Sequence, residues 1–104
     1  MGRKKNITLL KEFKKKLSKQ ISIQKMILFG SRAKGKPHRW SDFDLIIVSK
    51  DFKKINSLER GINLYDYWDL DYPVDFLCYT PEEFNKLKKQ ITIVREAIKT
   101  GIEI

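Results

Sequence analysis

Apolar residues recur along this chain at two periods. Leu9, Leu10, Phe13, Leu17 and Ile21 fall at helical spacing, with Lys11, Lys14, Lys15, Lys16 and Lys19 between them. That spacing predicts an amphipathic helix with a basic, solvated outer face. Three short apolar runs then read as buried strands, at residues 25–29, 43–49 and 73–79. Between the first two lies a glycine-containing and proline-containing loop, residues 30–41, with room for one helical turn after Ser31. Residues 53–68 predict a helix with Leu58, Ile62 and Tyr65 on one face, although Gly61 weakens it. Thr80-Pro81-Glu82-Glu83 combines an N-cap, proline at the first helical position and a capping-box glutamate. The helix it opens carries Phe84, Leu87, Ile91, Val94 and Ile98, with Gly101 at its C-terminal cap. Ile93, Ala97, Ile102 and Ile104 widen that stripe, as a broad core face or as a surface for a partner.

The resulting order is αβ(turn)βαβα. It predicts an α/β (α+β) fold, a small mixed sheet of about three strands with flanking helices. With 104 residues, no linker and no repeat, residues 1–104 read as one domain. No apolar run approaches a membrane span, and the basic N-terminus lacks the apolar core of a secretory signal. A cytoplasmic protein is therefore expected. Cys78 is the single cysteine, which excludes an internal disulfide and a cysteine-based zinc cluster. Its apolar neighbours predict a buried, inert thiol. Net charge is +9, from 22 basic and 13 acidic residues. Such a surface attracts nucleotides, nucleic acid or an acidic partner, but its lysines are dispersed along the chain.

The chemistry is concentrated around the first two strands. Met26-Ile27-Leu28-Phe29 ends at Gly30-Ser31-Arg32-Ala33-Lys34-Gly35, and Ser41-Asp42-Phe43-Asp44-Leu45 leads into the second strand. On a strand, Asp42 and Asp44 project from the same face. Their oxygens suit magnesium, and Asp75, the one charge in the third strand, is the best third carboxylate. As a charge among apolar neighbours, Asp75 reads as a buried and costly group. Gly30 lets the backbone approach a phosphate, and Ser31 adds a hydroxyl and an amide. Arg32 and Lys34 are available to neutralise phosphate charge or to face solvent. Two magnesium ions and a nucleoside triphosphate fit these parts, because nucleotidyl transfer is chiefly a matter of charge and alignment.

Other site types fit poorly. A Ser-His-Asp hydrolase would have only His38, a lone histidine in a basic loop, and there is no nucleophile elbow. The loop lacks the Gly-Lys-Ser/Thr of a P-loop and the glycine spacing of a dinucleotide fingerprint. Trp40, Tyr65, Tyr67, Trp68 and Tyr72 read chiefly as packing and rim, with one of them open to stacking on a base.

These two motifs, with Asp75 in Val74-Asp75-Phe76-Leu77, resemble the minimal nucleotidyltransferases of the DNA polymerase beta superfamily over about residues 7–100. The usual motif continues Gly-Ser-Arg-Ala-Arg-Gly; here Lys34 keeps the charge but loses the planar fork. The resemblance implies that Gly30 and Ser31 hold the triphosphate of ATP. It implies that Asp42 and Asp44 bind magnesium and that Asp75 completes the site and helps activate the acceptor. It also implies a partner: an all-helical HEPN-domain toxin, with this chain as the antitoxin that transfers AMP to a toxin tyrosine. Two alternatives remain open on these residues. One is an antitoxin that binds nucleotide and neutralises by contact alone. The other is a nucleotidyltransferase acting on RNA or a small molecule.

Overall fold

A computed structural model describes residues 3–34 and 42–104. Helix α1 spans Arg3–Leu17, followed by strands β1 (Lys25–Phe29) and β2 (Phe43–Val48). A 3-10 turn (Lys50–Lys54) and helix α2 (Arg60–Tyr65) lead to strand β3 (Val74–Tyr79). Helices α3 (Pro81–Leu87) and α4 (Ile93–Thr100) and a short strand β4 (Ile102–Glu103) complete the chain. Among the described residues no helix is long and apolar enough to cross a membrane.

The sheet runs β3-β2-β1-β4. β1 is antiparallel to β2 and to β4, whereas β2 and β3 are parallel. The expected α/β architecture with a mixed sheet is present, with one more strand than foreseen. Alternate residues face opposite layers. Met26, Leu28, Phe43, Leu45 and Ile47 pack with Leu10, Phe13 and Leu17 of α1. Ile27, Ile46 and Val48 pack with Phe84 of α3 and with Val94 and Ala97 of α4. Helices on both faces explain why β2 reads as an unbroken apolar run from Leu45 to Val48.

Three elements depart from expectation. Residues 53–68 do not form one helix. Ser49 caps a 3-10 turn, and the Leu58 amide donates to the Asn56 side chain. That side-chain turn gives the backbone an alternative to continuous helix. The last helix is also split. The Thr92 hydroxyl donates to Leu87 O at 2.8 Å and accepts from the Arg95 amide, closing α3 and capping α4. As a result Ile91 is 95% exposed, and Ile93 and Ile98 also face solvent.

Ile102 and Ile104, finally, extend no helical stripe. Ile102 pairs with Leu28, and the Ile104 amide donates to Met26 O. Gly101 does cap α4, but with φ −86°, not in the left-handed region. Glycine is needed there for space, since a Cβ would stand against Ala97 O and 2.7 Å from Leu28 O.

Candidate active site

The end of β1 brings the glycine turn to the carboxylates. Phe29 is the register partner of Asp44, so Gly30 emerges beside the Asp44 side chain. Gly30 has φ +78°, and a Cβ there would lie 2.5 Å from Asp44 Oδ2. Position 30 thus excludes a side chain both by conformation and by space. The Ala33 and Lys34 amides donate back to Gly30 O at 3.1 and 3.2 Å, closing the single turn expected after Ser31. Ser31 and Lys34 are exposed on this turn.

Asp44 pairs with Asp75 across the parallel strands β2 and β3. Both therefore project to the same face, the one that α3 and α4 cover farther along the strands. Asp44 is half-buried, while Asp42 and Asp75 are exposed. Burial raises the Asp44 carboxyl above its ordinary value, and the negative charges of Asp75 and Asp42 raise it further. The three carboxylates are therefore one electrostatic group. Among the described residues, no three His, Cys, Asp or Glu close into a ready-made ion cage. The set is an open one, all hard oxygen, suited to magnesium shared with a ligand that brings further oxygens.

Asp75 departs from expectation in one respect. It is exposed, because β3 is the edge of the sheet; its apolar neighbours in sequence do not bury it. Arg32 departs more. It is 1% exposed, with its guanidinium carbon 4.2 Å from the Phe43 ring centroid and 4.8 Å from that of Tyr72. Nη1 donates to Asn6 Oδ1 at 3.5 Å. A guanidinium held inside the fold is not presented to a phosphate at the surface, unlike the Lys34 side chain. Gly35, His38, Trp40 and Ser41 lie outside the described residues.

Tyr65, read from sequence only as packing or rim, is a neighbour of the carboxylates. Burial raises its hydroxyl pKa most, and the charges of Asp75, Cys78 and Asp42 add to this. The hydroxyl donates to Val74 O at 2.9 Å, which sets the ring beside the base of Asp75. Only the packing of α2 along β3 brings these residues together. Tyr67, Trp68 and Tyr72 instead pack against the α1 side of the core.

Residues 9–100 match the family model of the nucleotidyltransferase domain. The "Probable protein adenylyltransferase MntA" of Haemophilus influenzae is 35% identical over 75 residues, covering 69% of this chain. The match spans 66% of that relative, just under two thirds of its length. A "Putative protein adenylyltransferase" of Methanocaldococcus jannaschii is 28% identical over 100 residues, covering 94% of this chain and 97% of that one. Among solved structures, a "putative nucleotidyltransferase" from Sulfolobus solfataricus superposes with a TM-score of 0.67 at 20% identity, over 97% of this chain and 80% of that one. A mutant of "the toxin-antitoxin MntA-HpeT" superposes with a TM-score of 0.51 at 24% identity, over 99% of this chain and 72% of that one. At these identities the two structures establish the shared fold.

Proposed function

The chain belongs to the nucleotidyltransferase domain family, and from that membership we propose that it transfers AMP from ATP to a hydroxyl of a partner protein. The observation that carries the reading is the pairing of Asp44 with Asp75 on adjacent strands, with the Gly30 turn against Asp44. Protein as the acceptor class follows the adenylyltransferase names of the two sequence relatives. The partner we propose is a HEPN-domain toxin, with this chain as its antitoxin, in keeping with the motif resemblance. The toxin–antitoxin assembly among the fold neighbours supplies the context.

In this reading Gly30, Ser31 and Lys34 receive the triphosphate. The Gly30 backbone permits close approach, and the exposed Ser31 and Lys34 side chains supply a hydroxyl and a positive charge. Asp42, Asp44 and Asp75 would hold magnesium, as two ions, and the metal would offset charge on the triphosphate and lower the pKa of the attacking hydroxyl. Asp75, exposed on the edge strand, would take the acceptor proton. The acceptor oxygen bonds to the α-phosphorus, and the bond from that phosphorus to the bridging oxygen breaks. Pyrophosphate leaves with that electron pair, and the proton passes through Asp75 to solvent.

The test is intact-protein mass spectrometry of the candidate toxin after incubation with this protein, ATP and Mg²⁺. We expect a gain of one or more AMP units, lost with Asp42→Asn. A toxin neutralised with no mass gain would replace transfer with neutralisation by contact. Label from ATP found only on RNA or a small acceptor would overturn the protein assignment.

A further inference from the structure

Arg32 joins every segment that carries the candidate site. It belongs to the turn that begins at Gly30. Its guanidinium lies over the ring of Phe43, which stands between Asp42 and Asp44, and over that of Tyr72, three residues before Asp75. The two rings meet edge to face, with centroids 5.7 Å apart. Tyr72 is itself held by Trp68, whose Nε1 donates to Tyr72 O at 2.8 Å. Asn6 of α1, fully buried, accepts from Nη1. We propose that Arg32 is a positioning residue: its aromatic-flanked guanidinium sets the distance from the Gly30–Lys34 turn to the carboxylates of Asp42, Asp44 and Asp75. The link to catalysis rests on the transferase reading above; the link to the turn does not.

The choice of side chain follows from shape. A guanidinium is flat, offering its faces to aromatic rings while its edge donates hydrogen bonds in plane. An ammonium is a compact, strongly hydrated charge that does not reproduce this. Lysine at position 32 would keep the charge and lose the clamp. Positioning and direct phosphate contact therefore predict opposite outcomes for the same substitution.

The experiment compares Arg32→Lys, Arg32→Met, Tyr72→Leu and the Arg32→Lys/Tyr72→Leu double variant. The first readout is amide hydrogen exchange, which needs neither metal nor substrate. We expect the Ala33 and Lys34 amides to lose at least about tenfold in protection in each variant while the β2 amides keep theirs. The double variant should lose no more than the larger single, as residues acting as one unit do. The second readout is AMP transfer. We expect kcat to fall about 10–100-fold with KM for ATP within about threefold, since a displaced turn affects alignment more than uniform binding.

Unchanged turn protection in Arg32→Lys would overturn the proposal. So would wild-type kinetics in Arg32→Lys together with a tenfold rise in KM for ATP in Arg32→Met, the pattern of a phosphate contact. If Arg32→Met does not fold, Tyr72→Leu carries the comparison, because it leaves the arginine in place and removes one flank. A wild-type protein that transfers no AMP would count against the transferase reading alone, and the exchange data would still decide the role of Arg32 in the turn.

Discussion

At the scale of single residues, Gly30 and Asp44 constrain each other. A side chain at position 30 would need the left-handed region and the space of Asp44 Oδ2. Gly30→Ala should cost about 1–2 kcal/mol in backbone strain alone. It should also displace the carboxylate, so AMP transfer should fall further than stability does. Gly61 is the control, since a Cβ there would meet Phe76 at an ordinary 3.7 Å. Gly61→Ala should leave transfer intact and raise stability by as much as about 1 kcal/mol through helix propensity. Paired thermal melts and transfer assays would separate the two glycines. Asp44 supplies a second prediction. Its raised carboxyl favours the protonated form in the fold. That contribution is full below the ordinary value of 3.8 and is lost as pH rises through the raised one. The unliganded protein should therefore lose stability across that window, and Mg²⁺ should restore it. Asp44→Asn should remove the loss, so that the unliganded variant melts above wild type at neutral pH. It should also abolish stabilisation by Mg²⁺ and lower transfer on the order of 10²-fold or more. A wild-type response to Mg²⁺ in Asp44→Asn would remove Asp44 from the metal set.

At the scale of elements, α2 protects the outer edge of β3. Its Tyr65 hydroxyl takes Val74 O, and Arg60 Nη1 takes Cys78 O at 3.2 Å. These carbonyls alternate with Pro73 O and Tyr79 O, which accept from β2 and the residue after it. Arg60 also donates from Nε to Ile55 O and from Nη1 to Glu83 Oε1 at 2.6 Å, tying α2 to the capping box of α3. Its side chain is 7% exposed, so Arg60→Ala would leave several acceptors unmatched. We expect a loss of about 2–3 kcal/mol in urea denaturation. Glu83 is partly exposed, and Glu83→Gln should cost only about 1 kcal/mol. The Arg60 hydrogen bond lowers the Glu83 pKa. Its contribution is present above the ordinary value of 4.5 and disappears as pH falls through the lowered one. Glu83→Gln should therefore flatten the acid limb of the stability profile. What the sequence made legible follows from which signals are local. β1, β2, β3 and the Thr80 box were readable because short apolar runs and capping signals are encoded within a few residues. β4 was not, because two residues opposite Ile27 and Leu28 resemble the tail of a helical stripe until strand order is known. The same ignorance of strand order misplaced Asp75 as buried. Arg32 was read as facing either phosphate or solvent, because no local pattern places Asn6, Phe43 and Tyr72 around it. Gly30, Asp42 and Asp44 were legible as a set because the turn and the strands adjoin in sequence as they do in space.

At the scale of the whole molecule, the site and the core share one sheet. β2 carries Asp44 at one end and packs both hydrophobic layers along the rest. Opening the site strands therefore means opening the core. Cys78 reports on that opening. It lies in β3 opposite Ile47, and burial pushes its thiol up to about 12, although Arg60 pulls the other way. At pH 8 the native thiol should react with iodoacetamide one to three orders of magnitude more slowly than a free cysteine, its smaller thiolate fraction being partly offset by higher nucleophilicity. The thiol is half-buried; where its raised pKa keeps direct attack slow, labelling should pass through the open state and track the stability of the sheet. Mg²⁺-ATP at 100 times its Kd should then slow labelling by about 100-fold, because a ligand bound only to the folded form lowers the open population by that factor. Asp44→Asn should show no such slowing. If Mg²⁺-ATP slows labelling in both proteins alike, the nucleotide binds without these carboxylates; if in neither, β3 opens without disturbing the site.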